Sequence, residues 1–258
     1  MKELRHKDFT NGSVYCIQLD DGMLIETTDT FLPISTKNCT GGTNTVQDDW
    51  IGERSERYMI GISVGSGCPI GCKFCATGQM KGFRNLTVEE ILDQVDFIID
   101  KNPTVDPRQS KEFKINWTRM SDSWLNLDNV RVAMDDITKR YPNVHHYVST
   151  VGIKGSDFSW IKDNITLQVS LHSLDEDRRR ELIPINNLMS IEELGQIRTK
   201  SNLKTTVNLT LVDFADFDIK ELTRYFDPEY FFIKLSPINP NVVSEANGMG
   251  VGIIEGAN

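Results

Sequence analysis

No apolar run in this sequence approaches the roughly 18 residues that a membrane-crossing helix needs. The opening stretch, MKELRHKDFTNG, is polar and charged, without the apolar core of a signal peptide. Both absences lead us to expect a cytoplasmic protein with no membrane attachment. Positive charge is also in short supply: 28 Lys and Arg stand against 37 Asp and Glu, a net charge of −9. That balance argues against a general nucleic-acid binder, whose affinity rests on many phosphate contacts. It leaves room for an RNA substrate held by a local basic patch. Cysteine is scarce and unevenly spread: of Cys16, Cys39, Cys68, Cys72 and Cys75, the last three fall within eight residues, and none follows Cys75. In a reducing compartment such a group binds metal rather than forming disulfides.

A chain of 258 residues, 39% hydrophobic and 25% charged, suits one domain or two small ones with a sizeable core. From residue 59 onward, strand and helix patterns alternate. MIGISV (59–64) is apolar and β-prone. TVEEILDQVDFIID (87–100) places Thr87 as N-cap with Glu90 at capping-box spacing, and Ile91, Val95 and Ile98 follow a helical period. Strands are expected at 112–117, 144–149, 165–171, 203–212 and 230–236. Helices are expected at 126–141, near 156–163, at 175–182, 190–200 and 219–226. Six strands, each of the first five followed by a helix, predict a parallel sheet with helical crossovers. The fold class is therefore α/β, a partial (β/α)6 barrel open on one side, with a doubly wound open sheet as the alternative. Residues 13–18 and 22–27, joined around Asp20-Asp21-Gly22, read as an N-terminal β-hairpin, and 28–56 as a loop. The expected division is 1–56 for hairpin and loop, 57–240 for the barrel, and 241–258 for an irregular tail.

Cys68, Cys72 and Cys75 have the spacing C-x3-C-x2-C, directly after the first core strand. Reactive groups collect at that end of a strand in (β/α) barrels. Three thiolates serve three irons of a cubane and leave the fourth iron open, whereas an electron-transfer cluster usually takes four cysteines. An open iron that binds the amino and carboxylate groups of S-adenosylmethionine (SAM) is the radical-SAM arrangement, in which an electron from the cluster cleaves the sulfonium. Phe74 sets an aromatic ring beside the cysteines. The alternatives are zinc, which prefers four ligands in paired motifs, and an iron–sulfur electron carrier.

Several separate stretches resemble the radical-SAM RNA methyltransferases that modify an adenine ring carbon in ribosomal and transfer RNA. CPIGCKFCATGQMKGFRNLTVEEILDQV looks like that family's cluster loop and following helix. HHYVSTVGI (145–153), VSLHSLDEDRRRELIPIN (169–186), LSPINPN (235–241) and LIETTDT (24–30) are similar to further motifs of the family, in the same order. The resemblance implies a [4Fe–4S] cluster on Cys68, Cys72 and Cys75. It implies SAM contacts from Ser149, Ser170, His172 and Asn239, a general base at Glu26, and a flavodoxin- or ferredoxin-type reductant. From the residues alone, Ser149 and Ser170 could equally satisfy backbone groups at strand ends, His172 could be an ordinary histidine, and Asn239 a turn residue.

The sequence departs from the family pattern at three places. A GEP segment whose acid meets the SAM amino group is replaced by MSDSWLN (120–126), with Asp122 at the acidic position. Gly61 stands seven residues before Cys68, where the resemblance implies a thiol. A second thiol is implied beyond the sixth strand, and no cysteine follows Cys75. The expected function is radical-SAM catalysis, related to RNA adenine methylation but not by a two-cysteine route. The alternative is a non-methylating relative that binds cluster or SAM and acts through a partner. Lys73, Lys81, Arg84 and Arg178 to Arg180 are the cations available to an RNA substrate; alternatively, the three arginines form a solvated helix face paired with nearby acids.

Overall fold

The computed structural model describes residues 1–9, 11–31, 53–211, 218–238 and 241–249. Cys39 and Asn239 lie outside the described residues. The chain forms two compact units, Met1–Ser66 with Arg84–Tyr147, and Gly67–Phe83 with Val148–Ala257.

The first unit opens with three antiparallel strands, β1 (Lys2–Phe9), β2 (Gly12–Gln18) and β3 (Leu24–Thr30). The expected hairpin is β2–β3, with Leu19 and Met23 closing the turn. It is one strand short of the observed meander, and β3 continues to Thr30, into the stretch expected to be loop. β4 (Arg57–Gly61) pairs antiparallel with β3. A short ribbon, β5 (Gly65–Ser66) with β6 (Arg84–Asn85), follows. α1 (Val88–Lys101) starts at a full capping box: Thr87 Oγ1 accepts from Glu90 N at 3.2 Å, and Glu90 returns to Thr87 N at 3.0 Å. β7 (Glu112–Trp117) then pairs parallel to β4, and α2 (Leu127–Arg140) leads into β8 (Val144–Thr150). The strands of this unit stand in the order β1-β2-β3-β4-β7-β8.

Its core follows from strand alternation meeting helix period. Tyr15, Ile17, Ile25, Tyr58, Ile60, Phe113 and Ile115 are buried, as are Ile91, Val95 and Ile98 of α1 and Val130, Met134 and Ile137 of α2. Tyr15 packs edge-on against Phe97 at 5.2 Å. The fully buried His146 sits in a closed chain of hydrogen bonds. Trp117 Nε1 donates to its Nδ1 at 3.2 Å, its Nε2 lies 3.0 Å from Thr138 Oγ1, and that hydroxyl donates to Met134 O at 2.8 Å. Indole N–H can only donate, so the His146 proton is on Nε2.

In the second unit β8 is followed by β9 (Ile165–Ser170), α3 (Glu176–Leu182), α4 (Ile191–Gly195), β10 (Thr205–Leu211), α5 (Ile219–Tyr225), β11 (Phe231–Pro237) and α6 (Val242–Ala246). β9, β10 and β11 pair in parallel, in that order. In neither unit does the strand order close on itself. The helix expected near 156–163 does not form: Phe158 and Ile161 are buried from turns, and Asp157 bonds the backbone of Ser159. Phe158 and Ile161 instead anchor a compact loop. Residues 241–249, expected to be irregular, contain α6, whose N-terminal amides of Val243 and Ser244 are accepted by Asn241 Oδ1.

Candidate functional site

The second unit carries the cysteine loop. Cys68, Cys72 and Cys75 are half-buried, and none is in a disulfide. Gly67 and Gly71 both sit at φ +72, a conformation that L side chains rarely adopt, and a Cβ on Gly67 would lie 2.3 Å from Gly82 O. These two residues let the chain turn tightly around the thiols. The loop is tied down at its backbone: Lys73 N donates to Leu182 O at 3.0 Å, Asn247 Nδ2 to Lys73 O at 2.8 Å, and Asn241 Nδ2 to Phe74 O at 3.0 Å. Asn241 and Asn247 were missed in the sequence because their segment shows no apolar period.

Phe74 meets His172 edge to face, with ring centroids 4.7 Å apart at 72°. His172 follows β9 in the left-handed region, φ +67, where histidine is among the few tolerated non-glycine residues. Its Nδ1 accepts from Thr210 N at 3.2 Å, which places the ring proton on Nε2. Burial, helped by the charge of Arg179, lowers its pKa to about 3, so the ring is neutral at physiological pH. Ser149 and Ser170 are half-buried at the C-terminal ends of β8 and β9. Arg179 is wholly buried: Nη1 donates to Met189 O at 2.5 Å and Nη2 to Val151 O at 2.6 Å. Burial lowers its pKa to about 10, which leaves it charged. Arg179 therefore corrects the solvated-face reading, which holds only for its neighbours: Arg178 pairs with Glu181, and Arg180 with Glu176.

Asp122 and Glu26 belong to the first unit. Asp122 is 4% exposed, not a solvated loop acid, and its Oδ1 accepts from Trp124 N at 2.9 Å. Ser121 before it is at φ +72, a backbone that glycine adopts without strain. Glu26 is half-exposed on β3, 3.2 Å from Arg119 Nη1, and stands directly opposite Cys16 of β2. Gly61 is closely covered: a Cβ there would lie 2.3 Å from Thr28 Oγ1 and 3.0 Å from Arg119 Nε. Any side chain at that position, a thiol included, requires Thr28 and Arg119 to move. Arg84 is held by Asp21 and Glu90 at 2.6 Å each, so its charge is already met.

Among the described residues, no three His, Cys, Asp or Glu side chains are gathered to hold a single metal ion, and no helix is long and apolar enough to cross a membrane. A cubane asks for a different arrangement from a single ion, one thiolate for each of three irons. The donor set fits that demand in kind: three cysteines outside any disulfide, on a loop whose backbone is held by Leu182, Asn241 and Asn247.

The fold is similar to that of a radical SAM methyltransferase. A crystal structure of a radical SAM methyltransferase from Sphaerobacter thermophilus superimposes with TM-score 0.67 over 93% of this chain and 67% of that one, at 22% identity. A structure of TYW1 with a lysine-pyruvate adduct bound matches at TM-score 0.50 and 16% identity, over 88% of this chain and 78% of that one. In sequence, the chain is similar to proteins named RlmN. It is 31% identical over 242 residues to a probable dual-specificity RNA methyltransferase RlmN of Dictyoglomus turgidum, covering 89% of this chain and 62% of that protein. It is 32% identical over 191 residues to the protein of the same name from Pseudothermotoga lettingae, covering 69% and 54%. The chain thus spans between about half and two thirds of the length of these curated relatives. No family model matches it.

Proposed function

We propose that this protein is a radical-SAM enzyme acting on RNA. In this reading Cys68, Cys72 and Cys75 hold a [4Fe–4S] cluster with one open iron, and SAM binds there. When bound, the pair supplies reductive cleavage of the SAM sulfonium, with the electron arriving from a flavodoxin- or ferredoxin-type donor. The observation that carries the proposal is the cysteine loop itself, three thiols in C-x3-C-x2-C spacing on a backbone anchored by Leu182, Asn241 and Asn247.

The chain's own groups have distinct tasks. His172, neutral and protonated on Nε2, offers a hydrogen-bond donor without a charge and buttresses Phe74. Ser149 and Ser170 offer hydroxyls at neighbouring strand ends, and Asn239 an amide beyond β11; we assign all three to SAM. Asp122 is assigned to the SAM ammonium group. Glu26 is the candidate base, with Arg119 Nη1 3.2 Å from its carboxylate. The close cover on Gly61 supports chemistry that uses no thiol at that position.

The test is anaerobic reconstitution with iron and sulfide, reduction, and incubation with SAM labelled in its methyl group, with and without ribosomal or transfer RNA. The expected products are 5′-deoxyadenosine and methionine, abolished by Cys72→Ala, with product formation altered by RNA. A reduced, cluster-bearing protein that leaves SAM intact under all conditions would refute the proposal.

A further inference from the structure

β1 carries charges of both signs in sequence, yet the structure sorts them onto opposite faces. Strict alternation would put Lys2, Leu4, His6 and Asp8 on one face, and Glu3, Arg5, Lys7 and Phe9 on the other. A register shift between Glu3 and Arg5 breaks that order. Glu3, His6 and Asp8 pair with Ile17, Tyr15 and Ser13 on the face that meets α1. There Glu3 is bound by Lys101 at 2.6 Å and His6 at 2.7 Å, and Asp8 accepts from Ser13 Oγ at 2.6 Å.

The other face takes every cation of the strand. Lys2, Arg5, Lys7 and Phe9 stand opposite Gln18, Cys16, Val14 and Gly12. Among the described residues none of Lys2, Arg5 and Lys7 is in an ion pair, whereas the acids of β1 are all engaged. Phe9 is 51% exposed, with Lys7 Nζ over its ring at 5.1 Å from the centroid, so a cation and an exposed aromatic ring stand side by side on this face. The same face continues across the sheet: Arg5 opposes Cys16, and Cys16 opposes Glu26. With strands about 4.8 Å apart, the Arg5 backbone is about 10 Å from that of Glu26. Glu26 is itself balanced by Arg119. A protein of net charge −9 thus keeps, among its described residues, three cations outside any ion pair and an exposed ring on one sheet face that leads to its candidate base.

We propose that this face of β1–β3 binds single-stranded RNA, with Lys2, Arg5 and Lys7 neutralising successive phosphates and Phe9 stacking on a base. The idea rests on the RNA reading above and supplies the surface that brings the strand to Glu26. Sheet faces with cations along a backbone track and an aromatic platform suit single strands, whose bases are free to stack.

The experiment is fluorescence anisotropy of a labelled, mixed-sequence, 12-nucleotide single-stranded RNA with the reconstituted full chain, repeated over a salt series. Each phosphate contact on a single strand contributes about 0.7 to the slope of log affinity against log salt. K2Q/R5Q/K7Q is therefore expected to lower that slope by about 2, and Phe9→Ala to weaken binding about tenfold. K111Q/K139Q/K162Q, which removes the same charge elsewhere, is expected to leave the slope unchanged. All three variants alter exposed residues and should keep the parent melting temperature. Equal loss in the control variant, an unchanged slope in K2Q/R5Q/K7Q, or binding of phosphatidylserine vesicles in place of RNA would overturn the idea. So would charges that serve only to keep the strand edge from pairing with another sheet, since their removal would leave RNA binding intact. SAM cleavage without RNA is measured on the same samples. The predicted slope change supports this surface whichever way cleavage falls, so failure of the cluster chemistry and failure of the surface are read separately.

Discussion

Phe74 and His172 meet edge to face at 4.7 Å, which joins the cysteine loop to the second residue after β9. His172 holds that position in a left-handed backbone, φ +67, with Nδ1 bonded to Thr210 N. Asparagine tolerates this backbone and a β-branched residue does not. His172→Val should therefore be less stable than His172→Asn by about 1–2 kcal/mol in urea denaturation. Equal stabilities would show that the backbone relaxes at no cost. Both variants should bind SAM more weakly than the parent by calorimetry.

Arg179 offers a second test. Its buried guanidinium satisfies the carbonyls of Val151 and Met189, and a charged hydrogen bond contributes about 1.5–3 kcal/mol. Arg179→Met keeps the apolar stem but strands both carbonyls, so a loss of about 3 kcal/mol is expected in chemical denaturation. A loss below about 1 kcal/mol would mean that water replaces the guanidinium.

Acid should destabilise the first unit through His146. Its pKa is lowered to about 3 by burial, with His145 adding to the effect, whereas the unfolded chain titrates near 6.5. Between those values the unfolded state binds the extra proton, so stability falls as pH falls from about 6.5 toward 3, by up to about 1.4 kcal/mol per pH unit. Above pH 6.5 this contribution is fully present and flat. His146→Gln can still accept from Trp117 and donate to Thr138, and it should lose that part of the acid sensitivity. Stability curves measured at pH 7, 6 and 5 decide the matter; parallel slopes in both proteins would contradict it.

Gly61 is constrained by space. Gly61→Ala puts a Cβ against Thr28 Oγ1, an overpacking that costs about 1–3 kcal/mol. Thr28→Ala removes the obstructing hydroxyl, so the double variant should recover most of the loss. Additive effects in the double-mutant cycle would show that the two side chains do not meet.

Much of this fold was legible in the sequence where local signals and burial agree. Thr87 and Glu90 form the expected capping box, and Glu112–Trp117 is the expected strand to the residue, with Phe113, Ile115 and Trp117 turned inward. β1 was illegible because nearly all its residues are exposed and charges occupy both faces, so no apolar alternation announces it. Its bulge, which segregates those charges, is a property of pairing with β2 and is written in neither strand alone. No helix forms near 156–163 because Asp157 and Ser159 favour a local side-chain turn, from which Phe158 and Ile161 are buried. Arg179 sits between two other arginines, and only its burial separates it from them. The cysteine spacing, by contrast, needed no tertiary information.

The proposed chemistry requires a cubane with one iron open to SAM, which electron paramagnetic resonance of the reduced, reconstituted protein reads out. A reduced-cluster signal whose g-values shift when SAM is added is expected, with no such signal in the Cys68→Ala, Cys72→Ala or Cys75→Ala variants. A signal identical with and without saturating SAM, or one that survives loss of any of these three cysteines, would contradict it.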